Sequence, residues 1–445
     1  MATDSRAGAR LAPRLGLVAA LLLVAAAIVL PGFLDWDTAA RRDDKDEFPP
    51  LHGYWMPTVA WVSLVALAAA GLGWRYAESV ATQLSWRGLL LTAYAVGLMW
   101  LLALAYVDGS EGVSRSLGNP YEYLETARGT DDVGRMLETF VDRIPYAAED
   151  NWVTHVAGHP PGALLFFVGL VRIGLGGDLQ AGLVVTAIAA TVTPGVLVTL
   201  RALDAEDIAR RAAPFLVLTP AAVFLAVSAD AVFAAVAAWG LAALAVGATA
   251  SSRLRLVLWS VLAGLLLGCC VLLSYGLPLL GFLALAVLIS ARSWLPLPVA
   301  AASALVVVLG FAAEGFVWWD AYPVLVDRYW DGVASERPYS YWVWANIAAL
   351  LLSAGPLLGA GLAHLAATAR RTDRTVLLLV AATAMAVLVA DLSGMSKAEV
   401  ERIWLPFVPW LTLSLALLPH RWRRWGLGLQ LATALLLQHL LYTSW

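Results

Sequence analysis

Residues 214–248 read PFLVLTPAAVFLAVSADAVFAAVAAWGLAALAVGA, and this stretch decides the class of fold. It is almost continuously apolar, and Asp230 is its single ionisable residue. An apolar run of roughly 17 to 25 residues is long enough to cross the hydrocarbon core of a bilayer as a helix. The stretch therefore predicts two membrane helices joined by a tight turn at Ser228-Ala229-Asp230.

The rest of the chain has the same character. Its 445 residues are 61% hydrophobic and only 14% charged, and the mean hydropathy is +0.76. A soluble globular chain is usually about a quarter charged, so this chain has too little polar surface for a water-soluble body of its size. We predict an all-α, polytopic transmembrane helical bundle. The net charge of −3 argues against nucleic acid as a partner.

Hydropathy predicts about thirteen membrane-spanning helices. The predicted spans are residues 14–32, 57–74, 88–107, 179–200, 213–229, 231–249, 255–273, 277–291, 297–317, 343–362, 375–392, 403–418 and 425–442. The apolar run 163–175 is too short to cross comfortably, and we interpret it as an interfacial or re-entrant helix.

The placement of arginine supports this interpretation, because short cytoplasmic loops are enriched in Lys and Arg. With a cytoplasmic N-terminus, the predicted inner loops carry Arg75, Arg87, Arg201, Arg210, Arg211, Arg253, Arg255, Arg292, Arg370, Arg371, Arg374, Arg421, Arg423 and Arg424. The first predicted outer loop is acidic instead, with Asp43, Asp44, Asp46 and Glu47. If residues 163–175 spanned, every later loop would invert and four arginine clusters would face outward.

The predicted outer loop 108–178 is far longer than an ordinary connection. Its apolar and aromatic residues are spaced as in short amphipathic helices, so we expect it to be folded on the membrane surface. Asp108 begins the loop directly after the third predicted span. It is either a simple helix-end charge or a carboxylate that orients a substrate at the mouth of a cavity.

The loop closes with the segment 154–162, THVAGHPPG. Pro160 and Pro161 suit the first turn of a helix, where a missing N–H costs nothing. His155 and His159 are four residues apart and could share a metal, but no third ligand stands at an obvious spacing. Hydrogen bonding to a phosphate or a sugar hydroxyl, or capping of the helix, is the alternative. A divalent metal is therefore left open as a cofactor.

Two further charged positions lie beside predicted spans. Asp230 interrupts an apolar stretch, and charge at membrane depth is expensive and usually faces a cavity. Arg402 stands at the start of the twelfth span, where a guanidinium could clamp a lipid phosphate. Glu399, three residues earlier, could instead simply pair with it on a helix.

Together these elements resemble the GT-C superfamily of membrane glycosyltransferases, which includes the protein O-mannosyltransferases and the aminoarabinose transferases. The matching elements are Asp108 after an early span, the tyrosines Tyr121 and Tyr123, the segment His159-Pro160-Pro161-Gly162 and the acidic turn at Asp230. The resemblance covers about residue 88 to the end. It divides the chain into an N-terminal region, 1–87, with two spans, and a GT-C-like core, 88–445.

The resemblance implies a transfer of sugar from a polyprenyl-phosphate donor to a glycan, lipid or protein acceptor. Asp108 would be the catalytic carboxylate and Asp230 a second acidic member of the site. Arg402 would bind the phosphate, with His155, His159, Tyr121, Tyr123 and Glu399 as further substrate-binding candidates. The chain departs from the family's paired acidic residues, since Gly109 follows Asp108. Asp35-Trp36-Asp37 is therefore a rival for the catalytic position.

We expect a cell-membrane protein with its site on the outer face and membrane lipids as partners. Two other classes stay open. A secondary transporter or lipid flippase would also be polytopic, although such proteins place their polar groups near the bilayer midplane, often in two repeats. A non-catalytic membrane scaffold is the third possibility.

Overall fold

The structure, a computed structural model, describes residues 2–40 and 48–443. The acidic residues Asp43, Asp44, Asp46 and Glu47 lie outside the described residues. In chain order, the helices up to residue 172 are α1 (Ala2–Leu34), α2 (Val62–Gln83), α3 (Trp86–Ala105), α4 (Glu111–Ser114), α5 (Tyr123–Arg128), α6 (Val133–Glu138), α7 (Thr154–Gly158) and α8 (Pro161–Arg172).

The second half of the chain is helical as well. Its helices are α9 (Asp178–Ala189), α10 (Val192–Ala202), α11 (Glu206–Val217), α12 (Ala222–Leu225), α13 (Ala229–Ala248), α14 (Arg253–Leu273), α15 (Leu280–Ala291), α16 (Pro296–Ala313), α17 (Trp318–Asp331), α18 (Tyr339–Ser353), α19 (Leu357–Thr368), α20 (Arg374–Leu392), α21 (Val400–Ile403), α22 (Val408–Thr412) and α23 (His420–Leu440). Short 3-10 helices cover Tyr106–Asp108, Leu277–Leu279, Val333–Ser335, Ala369–Arg371 and Leu413–Leu417.

The strands β1 (Gly53–Trp55) and β2 (Leu441–Thr443) form a small antiparallel sheet. Tyr54 lies opposite Tyr442, and their rings stack with centroids 4.6 Å apart. The sheet ties the segment before α2 to the end of α23.

The predicted class, an all-α multi-pass membrane protein, is confirmed. Within the described ranges, 7 helical segments are long and apolar enough to cross a membrane, or up to 8 with a bent pair counted as one span. They are Leu11–Leu34, Trp86–Asp108, Asp178–Ala202, Ala229–Ala248, Arg253–Leu273, Pro296–Ala313 and Arg374–Leu392. The predicted number, about thirteen, is not reproduced.

The count differs because several apolar stretches are bent or broken. The predicted span 343–362 is the pair α18 and α19, which meet at an angle of 104°. Gly355 stands at the bend with φ +84°, a conformation that favours glycine. The predicted span 213–229 is divided between α11 and α12 around Thr219-Pro220. Hydropathy measures apolar length and does not detect such breaks.

The short apolar run 163–175 corresponds to α8, which has 12 residues. A helix of that length extends about 18 Å, well short of the roughly 30 Å of hydrocarbon that a span must cross. Its Pro160-Pro161 start is as predicted, with proline in the first turn. The outer-loop region contains α4, α5, α6 and α7, all short helices.

Helix α13 lies at the centre of the bundle, and 83% of its most apolar 18-residue stretch is buried. It packs against α9, α10, α14 and α15, and its many alanines allow those helices to approach closely. Its first turn carries Asp230, and Ser228 caps that turn through an Oγ that accepts a hydrogen bond from the Asp230 N–H. The sequence at 228–230 therefore begins a central helix.

Candidate functional site

An ion pair between Asp230 and Arg402 is the centre of the candidate site. Arg402 Nη1 donates to Asp230 Oδ2 at 2.7 Å, and the two residues are each 3% exposed. The position of Asp230 in the first turn of α13 favours its negative charge, because the free N–H groups and the helix dipole are positive there. Arg402 is supplied by α21, a four-residue helix just before the apolar segment 408–417.

The second guanidinium nitrogen of Arg402 extends the network. Nη2 lies 2.8 Å from His155 Nε2 and donates to Glu399 Oε2 at 3.2 Å. The other nitrogen of His155, Nδ1, lies 2.6 Å from Glu122 Oε1. A continuous chain of polar groups therefore runs from Glu122 through His155 and Arg402 to Asp230.

Glu399 is held in an unusual backbone conformation. Both it and Ala398 have positive φ, at +61° and +68°, a region that non-glycine residues rarely occupy. The Glu399 side chain is fixed by Arg402 on one oxygen and by Arg337 on the other, with Nη2 to Oε1 at 3.3 Å. This clamp offsets the cost of the backbone strain.

A histidine–tyrosine contact lies next to the ion pair. His159 Nδ1 is within hydrogen-bonding distance of the Tyr123 hydroxyl, at 2.8 Å, and of the His155 carbonyl oxygen, at 3.0 Å. Tyr123 is 1% exposed and stacks on Phe167 of α8 with centroids 5.2 Å apart. The His159 ring also lies 5.6 Å from that of Phe233, one turn into α13. This packing fixes both predicted site residues.

A cavity of about 510 Å³ opens beside this network. Arg402, Glu399, His155 and His159 line one part of its wall. The aromatic residues of the wall are Tyr146, Tyr275, Trp318, Tyr322 and Tyr329. The wall also includes Val389 and Ala390, near the end of the membrane helix α20, and Ser274, just after α14. The cavity therefore lies at the ends of apolar helices.

Four cations and one carboxylate, Glu399, line this cavity. Besides Arg402, the cations are Arg328, Arg337 and Lys397, all of which are buried. Arg328 donates to the carbonyl oxygens of Ile144 and Trp152, and Lys397 Nζ donates to those of Ala334 and Arg337. Backbone carbonyls orient Arg328 and Lys397 without neutralising them, whereas Arg337 and Arg402 share the one carboxylate Glu399. The cavity wall therefore keeps an excess of positive charge, which favours an anionic ligand.

The surroundings of Glu122 and Glu399 favour their ionised forms, and those of His159 favour its neutral form. Burial alone raises the pKa of Glu122, but His155 and Arg402 more than offset it and the pKa lies below its usual value. Burial has the same effect on Glu399, where His52 and Arg337 bring the pKa well below the ordinary range. Burial lowers the pKa of His159, with Asp230 acting against it, and lowers that of Lys397.

Asp108 lies in a different environment. Its Oδ2 accepts hydrogen bonds from Arg115 Nη2 at 3.4 Å and from Gln438 Nε2 at 3.3 Å. It is absent from the lining of the 510 Å³ cavity. The structure therefore groups Asp108 with the end of α23 and the β1–β2 sheet. Its catalytic role stays a prediction.

The structure also shows where the remaining candidates from the sequence lie. The Tyr121 side chain is 61% exposed, and its carbonyl oxygen accepts a hydrogen bond from the His155 N–H. Asp35 and Asp37 are exposed, and Asp37 Oδ1 accepts from the Ala39 N–H. In the part of the chain that the structure describes, no group of three or more His, Cys, Asp or Glu side chains is arranged to hold a metal ion.

Sequence reasoning missed several members of the site. Glu122 stands between the two tyrosines that were singled out, yet an acid in a polar loop carries no sign that it is buried. Arg328, Arg337 and Lys397 also lie in predicted outer segments, where charged residues are normal. The sequence did contain one sign of these residues. Outer segments are normally poor in Lys and Arg, yet the predicted outer segments contain all three of them.

No protein family model matches the chain, and no curated protein matches it. A solved structure with some likeness is that of ArnT from Cupriavidus metallidurans in the apo state, at 19% identity and a TM-score of 0.40. The likeness covers 67% of this chain and 57% of that one. The chain therefore spans little more than half the length of that protein.

Proposed function

We propose that this protein is a membrane glycosyltransferase that transfers a sugar from a polyprenyl-phosphate donor to an acceptor hydroxyl at the outer face of the membrane. The observation that supports this most is the 510 Å³ cavity, whose cationic and aromatic lining meets the ends of apolar helices. Such a donor is an amphiphile: its phosphate needs cations, its sugar can pack on aromatic rings, and its isoprenoid chain stays in lipid.

In this proposal the cations of the cavity bind the donor phosphate. Arg402 and Arg337 share Glu399 between them, so an arriving phosphate would compete with that carboxylate. The acceptor oxygen forms the new glycosidic bond at the anomeric carbon while the bond from that carbon to the phosphate oxygen breaks. Negative charge develops on the departing phosphate, and fixed guanidinium groups at that position stabilise it.

The proton of the acceptor hydroxyl must pass to a base. Asp108 is the candidate from the sequence resemblance, with Asp35 and Asp37 as rivals, whereas Glu399 is the carboxylate that lines the cavity. Glu399 is engaged by two arginines and has a lowered pKa, which makes it a weak base. We retain Asp108 as the proposed base on the ground of the sequence resemblance, although it does not line this cavity, and Asp230 as the residue that orients Arg402.

The test uses membranes supplied with a radiolabelled polyprenyl-phosphate sugar. Asp108→Asn and Arg402→Gln are both expected to abolish the labelled product, while Asp131→Asn, in an exposed position of the same loop, is expected to leave it unchanged. Full transfer by Asp108→Asn would remove that residue from the catalytic role and turn attention to Asp35 and Asp37. Solute movement into sealed vesicles without any glycosidic product would instead favour a transporter or flippase.

A further inference from the structure

A second polar cavity, of about 500 Å³, lies among α2, α11 and α23. Most of its charged and aromatic lining consists of Trp74, Arg75, Glu78, Arg211, Arg423 and Arg424. None of these residues belongs to the candidate glycosyltransfer site. We call this cavity the basic pocket.

The basic pocket is at the opposite end of the bundle from the first cavity. The His52 N–H donates to Glu401, the neighbour of Arg402, at 2.9 Å, and β1 begins at the next residue, Gly53. β1 pairs with β2, which directly follows the end of α23. The basic pocket instead includes His420, the first residue of that helix. With 21 residues, α23 is about 32 Å long, so the basic pocket and the β1–β2 sheet are separated by roughly the thickness of a bilayer core.

Side-chain contacts hold the three helices of the basic pocket in place. Arg423 Nη2 pairs with Glu78 Oε1 at 2.8 Å, which joins α23 to α2. The Trp74 Nε1–H donates to the Arg424 carbonyl oxygen at 3.0 Å. Arg210 Nη1 donates to the Ala81 carbonyl oxygen at 2.9 Å, which joins α11 to the end of α2. The pocket is therefore a built feature of the fold.

The charge of the basic pocket is not balanced. Four arginines and a single carboxylate, Glu78, line it, and Glu78 already pairs with Arg423 and contacts His420. Among residues 2–40 and 48–443, Arg75, Arg211 and Arg424 have no ion-pair partner. Like charges brought together at the end of a bundle repel one another, and an anion bound between them relieves that repulsion.

We propose that the basic pocket binds the phosphate group of an anionic phospholipid in the leaflet opposite the sugar-transfer site. Guanidinium groups match phosphate oxygens with paired hydrogen bonds. Trp74 is 48% exposed beside them, a placement suited to the headgroup level. Leu72, two residues before Trp74 in α2, is 60% exposed and can contact acyl chains. Basic pockets between membrane helices on the cytoplasmic side are sites of this kind.

The experiment measures the thermal unfolding midpoint of the purified full chain in neutral detergent. The probes are dioleoylphosphatidylglycerol, dioleoylphosphatidylcholine and sodium phosphate at equal concentration. We expect the anionic lipid alone to raise the midpoint, by about 2 to 4 °C. Arg75→Gln/Arg211→Gln/Arg424→Gln should lose this rise. The control variant, Arg253→Gln/Arg255→Gln/Arg292→Gln, removes the same charge outside the pocket. It should keep the rise in the unfolding midpoint.

Three results would overturn the proposal. They are an undiminished rise in the pocket variant, an equal loss in the control variant, and an equal rise with sodium phosphate, which would identify a free-anion site. Should the triple variant not fold, Arg75→Gln alone, at an exposed position, serves in its place, with native mass spectrometry counting retained phosphatidylglycerol. Wild-type protein that retains no more phosphatidylglycerol than this variant would likewise contradict the assignment. Sugar transfer is not measured, so failure here is independent of the proposed function.

Discussion

Arg402 and Asp230 are 172 positions apart in the chain, yet Nη1 and Oδ2 are separated by 2.7 Å in the fold. Each side chain is 4% exposed. Taking two charges out of water is expensive, and the cost is offset only when both partners and their further hydrogen bonds are present. The His155 and Glu399 contacts of Arg402 supply such bonds. The pair and its contacts therefore join α13, α21 and α7 in one network.

Breaking this pair from one side should be severely destabilising. Arg402→Met leaves Asp230 as an uncompensated buried charge, and we expect a loss of about 3 to 5 kcal/mol in the free energy of unfolding. Arg402→Met/Asp230→Leu should recover much of that loss, because no buried charge is left without a partner at this position. Denaturation of the detergent-solubilised variants measures both effects.

The matched control for that experiment is Arg128→Met. Arg128 pairs with Asp178, but these side chains are 37% and 42% exposed, so the loss should be below about 1 kcal/mol. Equal losses for Arg402→Met and Arg128→Met would show that burial of the Arg402 pair has no energetic consequence.

The neutral state of His159 should make stability depend on pH. Its pKa is lowered from 6.5, mainly by burial. Above that pH the imidazole is neutral in both the folded and the unfolded chain, so it has no effect. As the pH falls below 6.5, the unfolded chain binds a proton that the folded chain resists, and stability falls. We expect His159→Gln to reduce the loss of thermal midpoint between pH 7 and pH 5.

The control for the pH experiment is His420→Gln, which removes an imidazole that is 67% exposed; His159→Gln should change the slope more than this control does. The lowered pKa values of Glu122 and Glu399 act in a separate window, because their contribution is lost only as the pH falls from 4.5 through the folded-state value. An unchanged slope in His159→Gln between pH 7 and pH 5 would sink the prediction.

Helices α1 and α19 should be sensitive to a single added methyl group. A Cβ at Gly16 would lie 2.2 Å from the Gly359 carbonyl oxygen, and one at Gly359 would lie 2.5 Å from that of Gly16. The clash is with backbone, so the helices would have to move apart. We expect Gly16→Ala to cost about 1 to 3 kcal/mol, measured as a lower thermal midpoint.

Gly32, in the same helix α1, is the matched control for Gly16, because a Cβ there meets nothing within 4 Å. Gly32→Ala should therefore leave the midpoint unchanged or raise it slightly. If both substitutions behave alike, close approach of α1 and α19 is not what Gly16 provides.

Asn346 should control the order of the segment that carries Lys397 and Glu399. Its Nδ2 donates to Asp391 Oδ1 at 2.8 Å and to the Ser396 carbonyl oxygen at 2.7 Å. Its Oδ1 accepts from the Ala398 N–H at 3.3 Å. Asn346→Ala leaves these buried groups without their partner, at a cost of about 1 to 3 kcal/mol.

We expect Asn346→Ala to speed amide hydrogen exchange in residues 394–400. Asn151→Ala, at an exposed position of the outer loop, should leave exchange there unchanged. Protection that stays at the wild-type level in Asn346→Ala would mean that Arg337 and Lys397 alone hold the segment.

Most of the site candidates from the sequence are brought together by the fold. One network of contacts contains His155, His159, Tyr123, Asp230, Glu399 and Arg402, and their catalytic and binding roles stay predictions. The resemblance implies that Asp108 and Asp230 belong to one site. In the structure Asp108 contacts Arg115 and Gln438 instead of the network around Asp230.

The sequence by itself determined the all-α membrane class, because a long continuous apolar run satisfies its backbone groups in lipid within its own segment, as a helix. It also located the short helix α8, since 12 residues are too few to cross. Only the tertiary structure decided that the apolar stretch 343–362 bends by 104°, and that Glu122, not Asp108, joins the network around Arg402. Partner choice depends on contacts between residues more than a hundred positions apart, and local hydropathy contains no information about those contacts.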